Sequence, residues 1–331
     1  DEIVLIDPGS RGLATYGRDG RRRSEVQLDA AAQLDYSEPM RFERTDDGYV
    51  LIDRTQILSL GKNLDVHRRE QPFVDLQAQG FSEGSFNDAL LHRGRLYGYA
   101  DFIETTEPPA ASTGDEAEPS SIWRRGFVRL DPSSHDLDLL HELPIDSADG
   151  EYTSYYLYDR RPYVAELEGK VYILRFTEPW SIHKVTRKGL RPVVSGNSTS
   201  DASAHALQAW NGRLYVLTSR VVPTEDTGEQ LKGPDLSRVN STARVELLRA
   251  LPAIVKGERQ WLLHEIDPGN GERRRMQLPT AAERIRLVPG QGYWTAIEET
   301  SIPNLGETKD QTTFLFLPAD ELRAGSFSCG A

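Results

Sequence analysis

The hydrophobic positions of this chain fall in short runs of apolar, β-branched and aromatic residues, and Gly, Asn, Asp or Pro stand between the runs. Four runs resemble one another and follow a Gly turn: RLYGY at 95–99, KVYIL at 170–174, RLYVL at 213–217 and GYWTAI at 292–297. Runs of this length and composition are typical of β-strands, and two-residue joints such as Asn-Gly are typical of hairpins. The pattern therefore predicts an all-β chain.

Pairs of these strand patterns recur along the chain. Residues 89–99 (ALLHRGRLYGY) match 206–217 (ALQAWNGRLYVL), and a second matching pair follows at 127–144 and 262–279. Repeats with a period of tens of residues mark stacked supersecondary units, and about 55 to 66 residues per unit suits a propeller blade with its loops. Further copies are found at 3–26, 49–71, 168–194 and 284–318.

Each complete copy has the same internal order of four strands, in which a Gly turn follows the first strand and the last strand is polar. Four antiparallel strands per unit, repeated radially, make a β-propeller, whereas a β-sandwich rarely repeats one strand order so faithfully. The N-terminal copy lacks a first strand and the C-terminal copy ends after a third. We expect six blades with both terminal blades incomplete, and five blades are the alternative. Trp210 and Tyr215 of the best-matched copy are expected in the core.

Composition narrows the class of protein. The formal net charge of −12 and the pI near 5.2 argue against a nucleic-acid partner, because binding to phosphates needs a basic surface. No apolar run approaches the length of about 18 residues that a membrane span needs, so we expect no transmembrane segment. Cys329 stands alone and leaves no internal disulfide. The chain begins at Asp1 without Met, which indicates either a processed precursor or a truncated chain. We expect a location in the periplasm or outside the cell.

The joints between strands differ in length, and in a four-stranded blade they alternate between two faces of the ring. Second-to-third joints and joints between blades share one face, and the Gly turns on the other face are tight. Loops on a rigid scaffold commonly carry binding sites, so we expect function on the face with long joints. These joints are 72–87, 104–121, 144–162, 219–258 and 300–311.

Three of the long joints carry specific predictions. Residues 219–258 contain an apolar pattern close to helical spacing, which predicts a short helix that either packs over the end of the propeller or binds a partner. Its candidate partner contacts are Val245, Leu248, Leu251 and Ile254. The joint 144–162 holds a tyrosine cluster that either packs between blades or rims a recognition surface, with members Tyr152, Tyr155, Tyr156 and Tyr158. Residues 104–121 are acidic and rich in Pro, Ser, Thr and Ala, which predicts a disordered loop.

Signatures of catalysis are sparse. The seven His residues show no HxH or HExxH spacing, no G-x-S-x-G motif is present, and His141 and His264 occupy matched strand positions that indicate an architectural role. Acidic and amide residues near the face with long joints are candidate ligands of a Ca²⁺ in the central channel, because oxygen ligands suit that ion. Its candidate ligands are Glu83, Asn87, Asp88, Asp201 and Glu298. We expect no other cofactor.

Residues 3–26 and 49–70 resemble the NHL-type propeller repeat in their apolar strand, their Asp and Gly or Arg turn and their second apolar strand. The segment NGRLYVL at 211–217 is similar to the second strand of a kelch repeat, and LHEIDPGNGE at 263–272 resembles a strand and turn of quinoprotein-like propellers. These resemblances imply a β-propeller and no particular function, because unrelated proteins share this blade pattern. The tryptophan-docking pattern of quinoprotein repeats is missing, so no quinone cofactor is implied.

The hypothesis from the sequence is a non-enzymatic, exported propeller that binds another protein through the face with long joints, as an accessory subunit of an envelope complex. Association with a membrane would then be peripheral and through the partner. Two alternatives stay open at this point. One is a metal-dependent hydrolase or lactonase that works at the channel mouth, and the other is a propeller that binds a sugar or a peptide.

Overall fold

A computed structural model of the protein describes the 331-residue chain except residues 1–2, 8–11, 18, 28–40, 63–64, 77–79, 107–119, 144–162, 176–178, 197–203, 224–256, 281–283, 291, 305–306 and 319–331. The described residues form six antiparallel sheets and one short helix. Four of these sheets have four strands, and the sheets at the two ends of the chain have three.

The elements have the following bounds. The first sheet has β1 (Ile3–Asp7), β2 (Gly12–Tyr16) and β3 (Arg22–Gln27), and the second has β4 (Arg41–Arg44), β5 (Gly48–Ile52), β6 (Ile57–Gly61) and β7 (Val66–Glu70). Helix α1 (Pro72–Asp75) leads to the third sheet, which has β8 (Phe81–His92), β9 (Arg95–Thr106), β10 (Ser120–Asp131) and β11 (Asp136–Glu142). The fourth has β12 (Val164–Leu167), β13 (Lys170–Arg175), β14 (Ser181–Thr186) and β15 (Gly189–Ser195). The fifth has β16 (Ala204–Trp210), β17 (Arg213–Pro223), β18 (Gly257–Ile266) and β19 (Arg273–Gln277), and the sixth has β20 (Arg284–Gly290), β21 (Tyr293–Asn304) and β22 (Glu307–Pro318).

Strands that are neighbours in sequence are also neighbours in each sheet, and all of them pair antiparallel. This sequential order in a series of four-stranded sheets is that of a β-propeller, so the predicted all-β fold class is confirmed. The two three-stranded sheets correspond to the incomplete copies at the ends of the chain. Their proximity is marked by the rings of Tyr16 and Phe314, whose centroids lie 5.2 Å apart.

The hydrophobic core lies between neighbouring sheets: one cluster joins the second and third sheets, one joins the third to the fifth, and one joins the fifth and sixth. Tyr215 is 3% exposed, and its ring centroid lies 4.8 Å from that of Trp294 in the sixth sheet. Trp210 is partly buried and lies 5.4 Å from the same Trp294 ring. The prediction that Trp210 and Tyr215 belong to the core or to the contact between sheets is therefore confirmed.

Two-residue turns join the first and second strands of the third, fourth and fifth sheets. Both residues of each turn have positive φ: 51° and 76° at Arg93 and Gly94, and 51° and 70° at Glu168 and Gly169. Asn211 and Gly212 repeat this geometry with φ of 48° and 76°. These values are those of type I′ turns, whose twist matches that of the strands and which favour Asn followed by Gly. The Gly turns seen in the sequence therefore have the predicted hairpin role.

The joint expected at 72–87 is shorter than the sequence indicated. Helix α1 occupies its start, and β8 begins at Phe81. The helix places Phe73, which is 3% exposed, so close to Gly84 that a Cβ atom there would overlap the Phe73 ring. Gly84 thus lets the strand continue beneath the aromatic ring. No described helical segment is long and apolar enough to cross a membrane.

The joint expected at 300–311 is also different, because most of it is strand. β21 and β22 stay paired from Thr300 opposite Gln311 to Asn304 opposite Glu307. The strand was not predicted because the residues of this segment are polar, whereas backbone pairing needs no apolar side chain. Residues 104–106 and 120–121 likewise extend β9 and β10, and residues 219–223 and 257–258 extend β17 and β18. The predicted helix in 219–258 and the predicted disorder of 107–119 lie outside the described residues.

Candidate functional site

The order of strands sorts the joints into two faces. The face with the second-to-third joints and the joints between sheets is called here the long-joint face, and its landmarks are Thr106, Ser120 and Pro223 at strand ends. The opposite face, with the turns at 93–94, 168–169 and 211–212, is called the tight-turn face. Because neighbouring antiparallel strands reverse direction, this assignment follows from the pairing alone.

The β9–β10 hairpin extends beyond its neighbour at the long-joint face. β11 pairs with β10 only from Gly126 to Asp131, while β9 pairs with β10 as far as Thr106 opposite Ser120. Within the described residues, therefore, no strand pairs with the outer edge of β10 at 120–124. Such an edge presents backbone N–H and C=O groups that can pair with another chain.

Two large apolar side chains lie on this projecting part of β10. Ile122 is 44% exposed and Trp123 is 39% exposed. They are consecutive residues of a strand, so they point to opposite faces of the hairpin. Among the described residues, the one other large hydrophobic residue with comparable exposure is Val288 of β20, at 38%. Val288 lies close to the tight-turn face, two residues before the end of β20.

Charged side chains hold the base of the hairpin. The guanidinium of Arg125, which is 5% exposed, donates from Nε to Asp101, and the side-chain amide of Asn87 donates to the other oxygen of Asp101 at 3.1 Å. On the other face of β10, Arg124 donates to Glu104 at 2.9 Å and to Glu142 at 2.8 Å. Hydrogen bonds to Glu142 and Glu104 hold the pKa of Arg124 above its usual range. The hairpin is thus fixed at its base and exposed at Ile122 and Trp123.

A buried ion pair joins the first strands of three sheets. Asp88 of β8 accepts hydrogen bonds from the backbone N–H groups of Tyr163 and Val164 at 2.7 and 2.8 Å, and from Arg41 of β4 at 3.2 Å. Arg41 also donates to the carbonyl of Val164 at 2.7 Å and to Glu43 at 3.3 Å. Burial raises the pKa of Asp88, and Arg41 and the two N–H groups oppose that shift. This arrangement ties the second, third and fourth sheets together.

The structure describes four of the five candidate metal ligands, and three of them lie on the same strand, β8. Asn87 and Asp88 are engaged in the contacts described above, Glu83 lies in β8, and Glu298 lies in β21 opposite Thr313. Asp201 lies outside the described residues. Within the described part of the chain, no group of three or more His, Cys, Asp or Glu side chains is arranged to hold a metal ion. The calcium site stays a prediction.

The residues considered as partner contacts all lie outside the described residues. They are Tyr152, Tyr155, Tyr156, Val245, Leu248, Leu251 and Ile254. The sequence did not predict an exposed strand at Ile122 and Trp123, because these residues directly follow a segment whose composition predicted disorder. An aromatic residue with a β-branched neighbour directly after that segment was the available signal for strand.

A second buried cluster joins the third and fourth sheets. Within the described structure, three of its buried nitrogens have no hydrogen-bond partner: Nε of Arg175, Nε2 of His141 and Nδ1 of His183. Nε2 of His183 lies 3.0 Å from the hydroxyl of Ser181. Burial lowers the pKa of both His141 and His183, and the positive charge of Arg175 lowers both further. His264 is fully buried beside Thr218 at 3.0 Å, which suits its predicted architectural role.

No family model matches the chain, and no curated protein matches it in sequence. Solved structures share the architecture only loosely. A gluconolactonase of Xanthomonas campestris has 15% identity and a TM-score of 0.46, with 96% of this chain and 82% of that chain covered. Puromycin hydrolase has 14% identity and a TM-score of 0.41, with 96% and 50% covered. The WD40 domain of Neurospora crassa Pan2 has 8% identity and a TM-score of 0.34, with 88% and 84% covered. At these values the likenesses carry no argument about function.

Proposed function

We propose that this protein is a β-propeller that binds another protein through its long-joint face, and that the projecting β9–β10 hairpin is part of the contact. The observation that supports this most is the exposure of Ile122 and Trp123 beside the open edge of β10 at 120–124. Both features occur together on the face that carries the long joints.

The physical argument rests on how protein interfaces obtain their energy. Exposed aromatic side chains on a rigid support are common anchors of such interfaces, because they bury a large area at a small cost in conformational entropy. Here the rigid support is the fixed base of the hairpin at Arg125 and Asp101. A strand from the partner that adds to β10 would supply backbone hydrogen bonds, and Trp123 would contact it from the side.

The joints 144–162 and 219–258 belong to the same proposal. The strands that flank both joints have their ends at the long-joint face, so the tyrosine and apolar residues of these joints would extend the contact. An exported location and a role as accessory subunit also remain part of the proposal, and they rest on the sequence. A bound peptide in place of a whole protein would use the same strand edge.

The hydrolase alternative has less support from the described geometry. Asp88 lies on the first strand of its sheet, where a channel metal would need ligands, but its two carboxylate oxygens accept three hydrogen bonds. Metal analysis of the purified protein distinguishes the hydrolase from the protein-binding propeller. A stoichiometric metal that survives dialysis would favour the hydrolase.

The test is affinity capture from extracts of the source organism with three versions of the protein. These are the wild type, Trp123→Ser and Val288→Ser, which removes a side chain of similar exposure near the opposite face. We expect a protein that is retained by the wild type and by Val288→Ser but is lost with Trp123→Ser, while circular dichroism shows that all three are folded. Equal retention by all three, or no retention by the wild type, would contradict the proposal.

A further inference from the structure

A groove on the tight-turn face lies between the third and fourth sheets, away from the long-joint face. Its volume is about 440 Å³, and it is lined by the ends of β8, β9 and β10 on one side and of β13 and β14 on the other. This size falls in the range of about 300 to 1,000 Å³ that is usual for small-molecule sites. Tyr97, Val171 and Val185 supply an apolar part of its wall.

The groove is rich in positive charge, although the chain has a net charge of −12. Five cationic side chains line it, and Asp131 is the one carboxylate in the lining. The cations are Arg93, Arg95, Arg129, Lys170 and Arg187. Like charges that are held together in a cleft repel one another and raise the local concentration of anions.

Ion pairs neutralise only part of this charge. Arg95 donates to Asp131 at 3.1 Å, and Arg129 donates twice to Asp138, at 2.8 and 2.7 Å. The backbone N–H of Ser133 and the guanidinium of Arg95 hold the pKa of Asp131 below its usual range. The charge of this carboxylate is therefore already paired with Arg95. Among the described residues, no carboxylate forms an ion pair with the three remaining cations, which are Arg93, Lys170 and Arg187.

The position of Arg93 supports a role in binding rather than in folding. It occupies the first turn position with φ of 51°, where the equivalent turn of the fifth sheet has Asn211 with φ of 48°. Asn suits this conformation better than Arg does, because the left-handed region strains larger side chains. Arg93 reaches across to the neighbouring sheet, where a Cβ atom on Gly169 would lie only 3.0 Å from its guanidinium nitrogen. The absence of a side chain at Gly169 therefore permits this close approach.

We propose that the groove binds a phosphorylated small molecule, with Arg93, Lys170 and Arg187 around its phosphate group and the apolar wall against its organic part. A phosphate group carries nearly two negative charges near neutral pH, and a guanidinium matches its geometry with two parallel donors. A single phosphate ion would leave most of the groove empty, which is why an attached organic group fits better. The groove lies opposite the long-joint face, so this inference does not depend on the proposed protein partner.

The test is calorimetric titration of the full chain with glucose 6-phosphate and with inorganic pyrophosphate at low ionic strength, with glucose as the uncharged control. We expect glucose 6-phosphate to bind with a Kd below about 1 mM, and glucose not to bind. Binding of pyrophosphate without binding of glucose 6-phosphate would show a site for inorganic anions and would overturn the proposal. Added salt should weaken the binding, because screening reduces the attraction between exposed charges.

The variants separate binding from folding. Arg93→Asn introduces the residue that the turn prefers, so its thermal stability should equal or exceed that of the wild type while affinity falls about tenfold, the loss of one charged hydrogen bond. Lys170→Gln should weaken binding in the same direction. Arg274→Asn, at an exposed position of β19, changes the net charge equally and should leave affinity unchanged. Failure of both phosphorylated probes to bind, or equal weakening by Arg274→Asn and Arg93→Asn, would overturn the proposal.

Discussion

The two faces of this propeller are built from the same strands but differ in what they present to solvent. The tight-turn face has two-residue turns with positive φ, and its notable feature is a groove whose uncompensated charges are positive. The long-joint face has strands of unequal length, an edge at 120–124 with which no described strand pairs, and the exposed pair Ile122 and Trp123. This contrast indicates that a small charged ligand suits the first face and a protein surface suits the second.

The largest expected effect comes from Asp88, which contacts residues of the two neighbouring sheets beneath both faces. Asp88→Asn removes the negative charge that faces buried Arg41, so unfolding should become easier by about 3 kcal/mol, the lower end for breaking a buried ion pair. Urea denaturation followed by tryptophan fluorescence measures this change. Asp138→Asn is the matched control, because Asp138 is 52% exposed and pairs with Arg129 at the surface. An equal effect of the two substitutions would show that Asp88 does not hold the sheets together.

Two glycine substitutions compare the faces directly. Gly84→Ala, towards the long-joint face, forces a methyl group into the Phe73 ring and should cost about 1 to 3 kcal/mol. Gly94→Ala, on the tight-turn face, places its methyl group where no atom lies within 4 Å, so only the strain at φ of 76° remains, about 1 kcal/mol. Thermal denaturation of the two variants measures the order of the effects. A larger loss for Gly94→Ala would contradict the packing described at Phe73.

A smaller effect is expected from pH. The pKa of His183 is lowered in the folded protein by burial, by Arg175 of β13 and by His141 of β11. As the pH falls below about 6.5, the unfolded chain takes up a proton before the folded protein does, so stability decreases until the pH reaches the folded pKa. His183→Gln should therefore show a shallower loss of melting temperature between about pH 7 and pH 5.

His67→Gln is the control for the loss of an imidazole at the surface, because His67 is 62% exposed on β7. Its melting temperature at pH 7 should be close to that of the wild type. A steeper decline for His183→Gln than for the wild type would mean that the imidazole is charged in the folded protein.

Much of the fold could be predicted from the sequence, because strand alternation and Gly turns are local signals. The hairpin turns at 168–169 and 211–212 and the burial of Tyr215 follow from such patterns. The contact between Arg41 and Asp88 could not be predicted, since the two residues are 47 positions apart and neither belongs to a repeated motif. The groove could not be predicted for the same physical reason. Its cations come from turns and strands of two different sheets, and they become neighbours only when the sheets pack.

The candidate binding face was predicted in part. Joint lengths indicated which face is elaborated, because the strand order alone assigns joints to faces. The paired hairpin at 300–311 was not predicted, because its residues are polar. The strand at Trp123 was not predicted either, because the acidic segment before Ser120 indicated disorder. The partner contacts predicted in 144–162 and 219–258 stay predictions.

Replacing residues 224–256 with a short Gly-Ser linker sharpens the account of the long-joint face. We expect a folded protein whose melting temperature is close to that of the wild type, because loop closure costs little and the paired ends of β17 and β18 are retained. Association with the captured partner should be lost. Partner binding by a folded variant of this kind would shift the contact to the β9–β10 hairpin alone.

The most direct test of the central claim is hydrogen exchange of the protein with and without the partner recovered by affinity capture. We expect the peptide that contains residues 120–125 to exchange more slowly in the complex, because a bound chain would cover the open edge of β10 and Trp123. Peptides around the turns at 93–94 and 168–169 should exchange at an unchanged rate. Slower exchange confined to those turns, with 120–125 unaffected, would contradict the claim that the long-joint face binds the partner.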